Sequence, residues 1–305
     1  MDAAQIVTNR LIEKLEEGVI PWRMPWNGTG VARRWVVDKP YRGLNAMILP
    51  PGEYASLKQI KEAGGRVKKE ELKKWYMSVY WHWFKVKVGD AGVEDGSDDE
   101  ANYKKMAKPY YYRVYEINKQ CEGLASKVDQ TEKLDFNPVE EAEKLLSAYK
   151  DKPRIQYGPG GAYYMAIFDF INMPKKEDFH SVEEFYSTIF HELVHSTGSI
   201  SRLKREGVVD PTKFGSEKYA KEELVAEMGA SMLCVMAGLD TTDLQDNSAS
   251  YINGWLQKLK GDKKFIFSAA SQAQAAVDYM TGVSHEEEPV PEEPAADKEK
   301  ELVPA

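Results

Sequence analysis

The sequence predicts an α+β protein of two domains, on three observations. At 305 residues the chain is long enough for about two cores of ordinary size. Strand-like alternation and helical spacing of apolar residues occur in both halves. Charge also divides: residues 1–121 hold 21 basic against 16 acidic side chains, and the remainder holds 20 against 33. That is the pattern of a basic module joined to an acidic one.

In chain order, Ile6, Val7, Leu11, Ile12 and Leu15 recur at helical spacing over residues 3–17, and Gly18 is placed to stop that helix. Residues 21–26 and 33–35 are rich in Pro, Arg and Trp and read as irregular. A short helix is expected over 56–63, closed by Gly64-Gly65, then a basic stretch to Lys74 and a strand over 75–88. An acidic loop at 89–100 leads to a strand at 110–117, and 121–135 reads as a linker. Asn137-Pro138 opens a helix to about Tyr149, with Asn as cap and Pro in the first turn. Residues 162–172 read as one strand, entered through Gly158-Pro159-Gly160-Gly161 and left at Pro174. A helix opening at 181 is expected to run unbroken through 191–195, with further helices at 218–236, 251–259 and 269–280; beyond Ser284 the Glu/Pro/Ala-rich chain is expected to be disordered. The domain boundaries are set at 1–125, 126–283 and, for the acidic tail, 284–305.

Composition removes several classes. The chain is 42% hydrophobic and 30% charged, as globular proteins are, and no apolar run is long enough for a membrane span. The N-terminus lacks a basic region followed by an apolar core, so a cytoplasmic protein without a membrane partner is expected. Cys121 and Cys234 stand alone, which excludes a disulfide framework and a cysteine zinc site.

The chemistry concentrates at His191-Glu192-Leu193-Val194-His195. Residues i and i+4 share a helix face, so His191 and His195 can offer imidazole nitrogens to one tetrahedral metal, Zn²⁺ or another divalent cation. Glu192, turned by about 100°, can serve as general base at the open coordination position. Ser181-Val182-Glu183-Glu184 reads as the capping box that starts this helix. A third histidine is not in prospect: Ser201 stands where a metzincin needs one, and His180 lies about 16 Å up the helix axis. The third ligand is therefore expected to be a carboxylate of Glu222, Glu223 or Glu227. Glu223 is assigned as ligand and Glu227, on the same face, as the acid supporting an imidazole, with Glu227 the alternative ligand and Glu222 expected to point away into solvent. Tyr163, Tyr164, Tyr219 and Arg202 are the candidates for transition-state support, and the sequence does not choose among them.

Six of the seven tryptophans (Trp22, Trp26, Trp35, Trp75, Trp81, Trp83) lie in the basic half among Lys and Arg. Cations that track phosphates beside aromatic faces that stack bases suit single-stranded nucleic acid. Aromatics filling a small core would give the same composition.

The residues quoted so far carry a resemblance. Tyr41-Arg42-Gly43-Leu44-Asn45-Ala46, Gln120-Cys121-Glu122-Gly123-Leu124, the run from His191 to Gly198 with Arg202-Leu203, Phe214-Gly215-Ser216, the stretch Tyr219 to Glu227, and Trp255-Leu256 resemble ArdC-type antirestriction proteins over about residues 3–282. The resemblance implies a single-stranded-DNA-binding domain followed by a zincin-like metallopeptidase domain, on a mobile element, protecting incoming DNA from host restriction. It implies His191, His195 and Glu223 as the metal site, Glu192 as catalytic, and an unidentified protein substrate such as a host restriction component. On the DNA side it points to the basic-aromatic half, with Arg42 and Asn45 in the matching motif; Arg33, Arg34, Trp35, Lys68 and Lys69 are the further candidates. After Gly64-Gly65 the chain departs from that pattern, with Lys68-Lys69-Glu70-Glu71 where a Lys-Gly-Glu-Lys turn is expected. Two other readings stay open: a non-catalytic DNA-binding shield with a structural metal site, and a protease acting on DNA-bound proteins.

Overall fold

The computed structural model describes residues 3–22, 31–87, 103–127, 137–210, 217–241, 244, 248–262 and 264–283. It is an α+β molecule. The first half is built on a five-stranded sheet of β1 (Ala32–Arg34), β2 (Lys39–Pro40), β3 (Gly52–Ser56), β5 (Tyr76–Lys87) and β6 (Tyr103–Glu116), in the order β2-β1-β3-β6-β5. Strands β5 and β6 pair antiparallel from Tyr76↔Val114 to Lys87↔Tyr103, while β3 meets β6 only from Val114 to Glu116. The pair therefore runs on beyond the sheet as a two-stranded ribbon. Helix α1 (Ala3–Glu16) precedes the sheet, α2 (Leu44–Ile48) and α3 (Leu57–Glu62) sit within it, and α4 (Ile117–Gln120) follows it. Ser56 and Gln59 form a capping box on α3, which explains a helix of only six residues.

The second half holds α5 (Pro138–Ala148), a three-stranded sheet in the order β8-β10-β9 (β8 Arg154–Tyr157, β9 Tyr163–Met165, β10 Phe170–Met173), then α6 (Val182–Thr197), α7 (Glu206–Val209), α8 (Glu217–Ala237), α9 (Ser248–Gly261) and α10 (Phe265–Thr281). Ser181 caps α6 by accepting from the Glu184 N–H, while the Glu184 carboxylate accepts from the His180 N–H. Half of the expected box thus forms as written, and the return bond falls one residue earlier. Helices α6 and α8 pack closely because Gly229 has no side chain: a Cβ there would lie 2.7 Å from Val194 Cγ2.

Several expectations needed correction. Residues 162–172 are two strands joined by a turn over 166–169, with Asp169 in the left-handed region at φ 47°. The apolar run hides the turn because Ile167 and Phe168 occupy its tip, 87% and 72% exposed. Strand β6 begins at Tyr103, well before 110, and the segment read as irregular supplies β1. In the expected linker, β7 (Cys121–Glu122) pairs with β4 (Arg66–Val67). The acidic loop at 89–100 and the tail 284–305 lie outside the described residues.

The largest core crosses the expected domain boundary. Val7, Leu11 and Leu15 of α1, Trp22, and Met77 and Val79 of β5 belong to one buried cluster with α6, α8, α9 and α10. Trp22 meets Trp255 of α9 edge to face at 5.2 Å, and the Trp22 carbonyl accepts from Ser231 Oγ of α8. Burying side chains of this size contributes about 1.5–3 kcal/mol each, so α1 and Trp22 help to bind the first half to the second. No helix among the described residues is long and apolar enough to cross a membrane.

Candidate metal centre

Helix α6 buries Ile189, Phe190, Leu193 and Val194, and its helical period leaves His191 and His195 facing α8. The two Nε2 atoms are 3.1 Å apart with rings near perpendicular at 80°. Glu223 of α8 completes the triangle, its Oε2 3.6 Å from His191 Nε2 and its Oε1 3.6 Å from His195 Nε2. All three ligand atoms lie within 4.8 Å of one another. Two imidazole nitrogens and a carboxylate oxygen at this spacing suit one tetrahedral ion with a fourth position left open. Glu192, adjacent in sequence, is buried on the same helix.

The surroundings divide the two histidines. His195 Nδ1 lies 3.1 Å from Glu222 Oε1, a hydrogen bond. His191 Nδ1 is 3.9 Å from Glu227 Oε1, beyond one. Glu222, expected to be solvated, is instead 5% exposed and doubly paired to Arg205. Glu223 takes a further hydrogen bond from Tyr219. Burial resists charge on the His191 ring, yet Glu223, Glu227 and Glu192 outweigh it and carry its pKa up to about 9. Burial likewise raises the Glu222 carboxyl, but His195 and Arg205 reverse that and hold it below the usual range.

The candidates for transition-state support separate. Tyr219 is beside the donor set through Glu223. Tyr163 stands partly exposed against Phe170, ring centroids 6.1 Å apart. Tyr164 donates to Asp169 at 2.8 Å, and burial together with that partner pushes its hydroxyl pKa well up. Arg202 spends its fork on Asp169, the Asp151 and Ser196 carbonyls and Ser199 Oγ. Tyr164 and Arg202 thus brace the turn of the β9–β10 hairpin.

Most of the nucleic-acid candidates have hydrogen-bond partners within the protein. Arg33 pairs with Asp38 across its own turn. Arg42 donates to both carboxylate oxygens of Asp278 on α10, and the neighbouring Gly43 N–H donates to Gln274 Oε1. Asn45 exchanges two hydrogen bonds with the backbone of Val79. Trp35 donates to the Ala125 carbonyl under Lys127, and Lys68 to the Lys119 carbonyl. Arg34 lies near Tyr41, and Lys69 is exposed in a short 3₁₀ turn (Lys69–Glu71).

Known proteins agree with this architecture. The family described as the N-terminal domain of anti-restriction factor ArdC matches residues 1–117, and that described as zincin-like metallopeptidase matches residues 140–272. The metal-free crystal structure of antirestriction ArdC protein from plasmid R388 superposes with a TM-score of 0.69 at 32% identity, covering 92% of this chain and 97% of that one. The chain belongs to the ArdC antirestriction family. The Mn(II)-bound structure of the R388 ArdC protein aligns as well, with a TM-score of 0.68 at 30% identity over 92% of this chain and 98% of that one. DNA primase TraC of Escherichia coli is 31% identical over 291 residues, 90% of this chain but 26% of the primase, so the chain spans about a quarter of that relative. Uncharacterized protein y4eC of Sinorhizobium fredii is 28% identical over 92% of this chain and 91% of its own length. The zincin-like fold of this ArdC relative implies a divalent metal, and the donor set found here fits one.

Sequence reasoning passed over Arg205 and misplaced Glu222. Helix α8 is buried on nearly every side around Glu222 and Glu223, both themselves buried, so no polar stripe tells which carboxylate faces which neighbour.

Proposed function

We propose that this protein defends incoming DNA against restriction by holding single-stranded DNA with its first half and cutting a protein with a zinc-type centre in its second. The observation that carries the catalytic part is the triangle of His191, His195 and Glu223 with Glu192 beside it. A bound divalent ion there, zinc by its donors, supplies Lewis acidity towards a carbonyl and a water. His191, His195 and Glu223 hold that position, and Tyr219 steadies Glu223. Glu192 takes the proton of the attacking water and passes it to the leaving amine. Strand β9, the outer strand of its sheet, offers a backbone edge along which an extended substrate aligns. The substrate class that fits an antirestriction protein is a component of the restriction machinery met on the DNA.

The nucleic-acid part is supported by the basic-aromatic composition of the first half. Purified protein incubated with a restriction complex on single-stranded DNA is expected to cleave one of its proteins. Glu192→Gln is expected to abolish that cleavage while keeping the metal. Cleavage undiminished in the variant would end the peptidase reading. Filter binding across a salt series tests the DNA part: equal affinity for single-stranded and duplex oligonucleotides, without a salt slope, would remove it.

A further inference from the structure

The mechanism above leaves one buried ion pair unused. We infer that Arg205 is a positioning residue of the metal centre, holding Glu222 so that Glu222 fixes the orientation and tautomer of His195. The inference rests on the metal-centre reading and deepens it.

Arg205 lies on the chain just after α6, 5% exposed, with every donor group directed inward. Its Nε and Nη2 clasp the two oxygens of Glu222 at 2.9 and 2.7 Å. Nη1 donates to Thr197 Oγ1 at 2.6 Å, and Nη2 also reaches the Val194 carbonyl at 2.6 Å. The last four carbonyls of a helix have no backbone N–H partner within it, and Val194 belongs to that set for α6, its oxygen also accepting from Thr197 Oγ1 at 2.7 Å. One guanidinium therefore joins the end of the histidine-bearing helix to the helix that supplies Glu223. A carboxylate locked in a fork cannot swing, so Glu222 Oε1 presents a fixed acceptor to His195 Nδ1 at 3.1 Å. An acceptor there places the proton on Nδ1 and leaves the Nε2 lone pair aimed at His191 and Glu223.

Two glycines point the same way. A Cβ on Gly198 would lie 2.6 Å from Val208 Cγ2 and 2.9 Å from Arg205 Nη2, and one on Gly207 would lie 2.7 Å from Glu222 Cβ. Both positions are bare where the Arg205 segment must press against α6 and α8. His191 has no such bracket, since Glu227 stands 3.9 Å away. The two imidazoles are thus held differently at Nδ1.

The wild-type, full-length, metal-free protein supplies the first test. Long-range ¹H–¹⁵N correlation near pH 7.5 is expected to show His195 protonated at Nδ1, and the opposite tautomer would overturn the proposal whatever any variant does. Zn²⁺ affinity, read by competition with a chromophoric chelator well below melting, is expected to fall about 10- to 100-fold in Arg205→Met and in Glu222→Gln. Arg205→Lys, which cannot supply the fork, is expected to recover only part of it. Ile60→Ala, a variant in a separate core cluster that holds no residue of α6 or α8, is expected to melt earlier at unchanged affinity, which separates positioning from general loosening. Wild-type affinity in Arg205→Met and Glu222→Gln would overturn the positioning role while leaving the centre intact. No binding of Zn²⁺ or Mn²⁺ by the wild type would instead remove the metal-centre reading.

Discussion

Arg202 and Arg205 stand three residues apart, yet they tie the end of α6 to different elements, the β9–β10 hairpin and α8. Arg205 turns inward to Glu222, whose side chain is 5% exposed, and Arg202 reaches outward to Asp169, whose side chain is 45% exposed. The chemistry is the same in both, a guanidinium fork on a carboxylate. The difference is water. Charges sealed from solvent are costly once parted, whereas a carboxylate in contact with water is resolvated when its partner leaves. The inner pair should therefore govern the integrity of the centre, and the outer one the placement of the β9–β10 hairpin.

The largest effect that tests this contrast is the pair of substitutions itself. Arg205→Met should cost about 3–5 kcal/mol by urea unfolding of the metal-free protein, because it strands a buried carboxylate. Arg202→Met, losing a half-solvated pair and its carbonyl bonds, should cost about 1–2 kcal/mol. Equal costs, or the reverse order, would break the comparison. Next in size is Gly229→Ala, which presses a methyl into Val194 at the seam that Arg205 closes. It should cost about 1–3 kcal/mol if that seam is rigid; a neutral result would mean that α6 and α8 give way.

The smallest effect concerns pH. Hydrogen bonding from Arg202, helped by Tyr164, holds the Asp169 carboxyl below the ordinary aspartate value. A depressed native pKa adds stability that is complete above the unfolded value of about 3.9 and is lost as pH falls through the lower native one. Asp169→Asn should therefore melt slightly below wild type at pH 7, with the gap closing towards about pH 3. A gap that widens on acidification would reverse the assignment of the pair.

The metal-bearing half was the more legible in sequence, and the reasons are physical. Histidines four apart on a capped helix must share a face, so His191 and His195 could be placed without coordinates. The carboxylate ligand was harder, because Glu222 and Glu223 are both buried on a helix without a polar side. The partner of His195 turned out to be the glutamate that phase alone had sent to solvent. It is held inside by an arginine whose importance depends on a loop closing across two helices. In the first half the strands β1, β2, β4 and β7 are two or three residues long, too short to show a period. The roles of Arg42 and Asn45 were likewise hidden, since each is set by a partner far along the chain, Asp278 for the first and Val79 for the second.

The interlock of α1 and Trp22 with α9 and α10, reinforced by the grip of Arg42 on Asp278, has a mechanical side. Helix α10 also lies against α6. The helix that carries both imidazoles is thus seated in the same packed body as the front of the chain, through side chains already in touch.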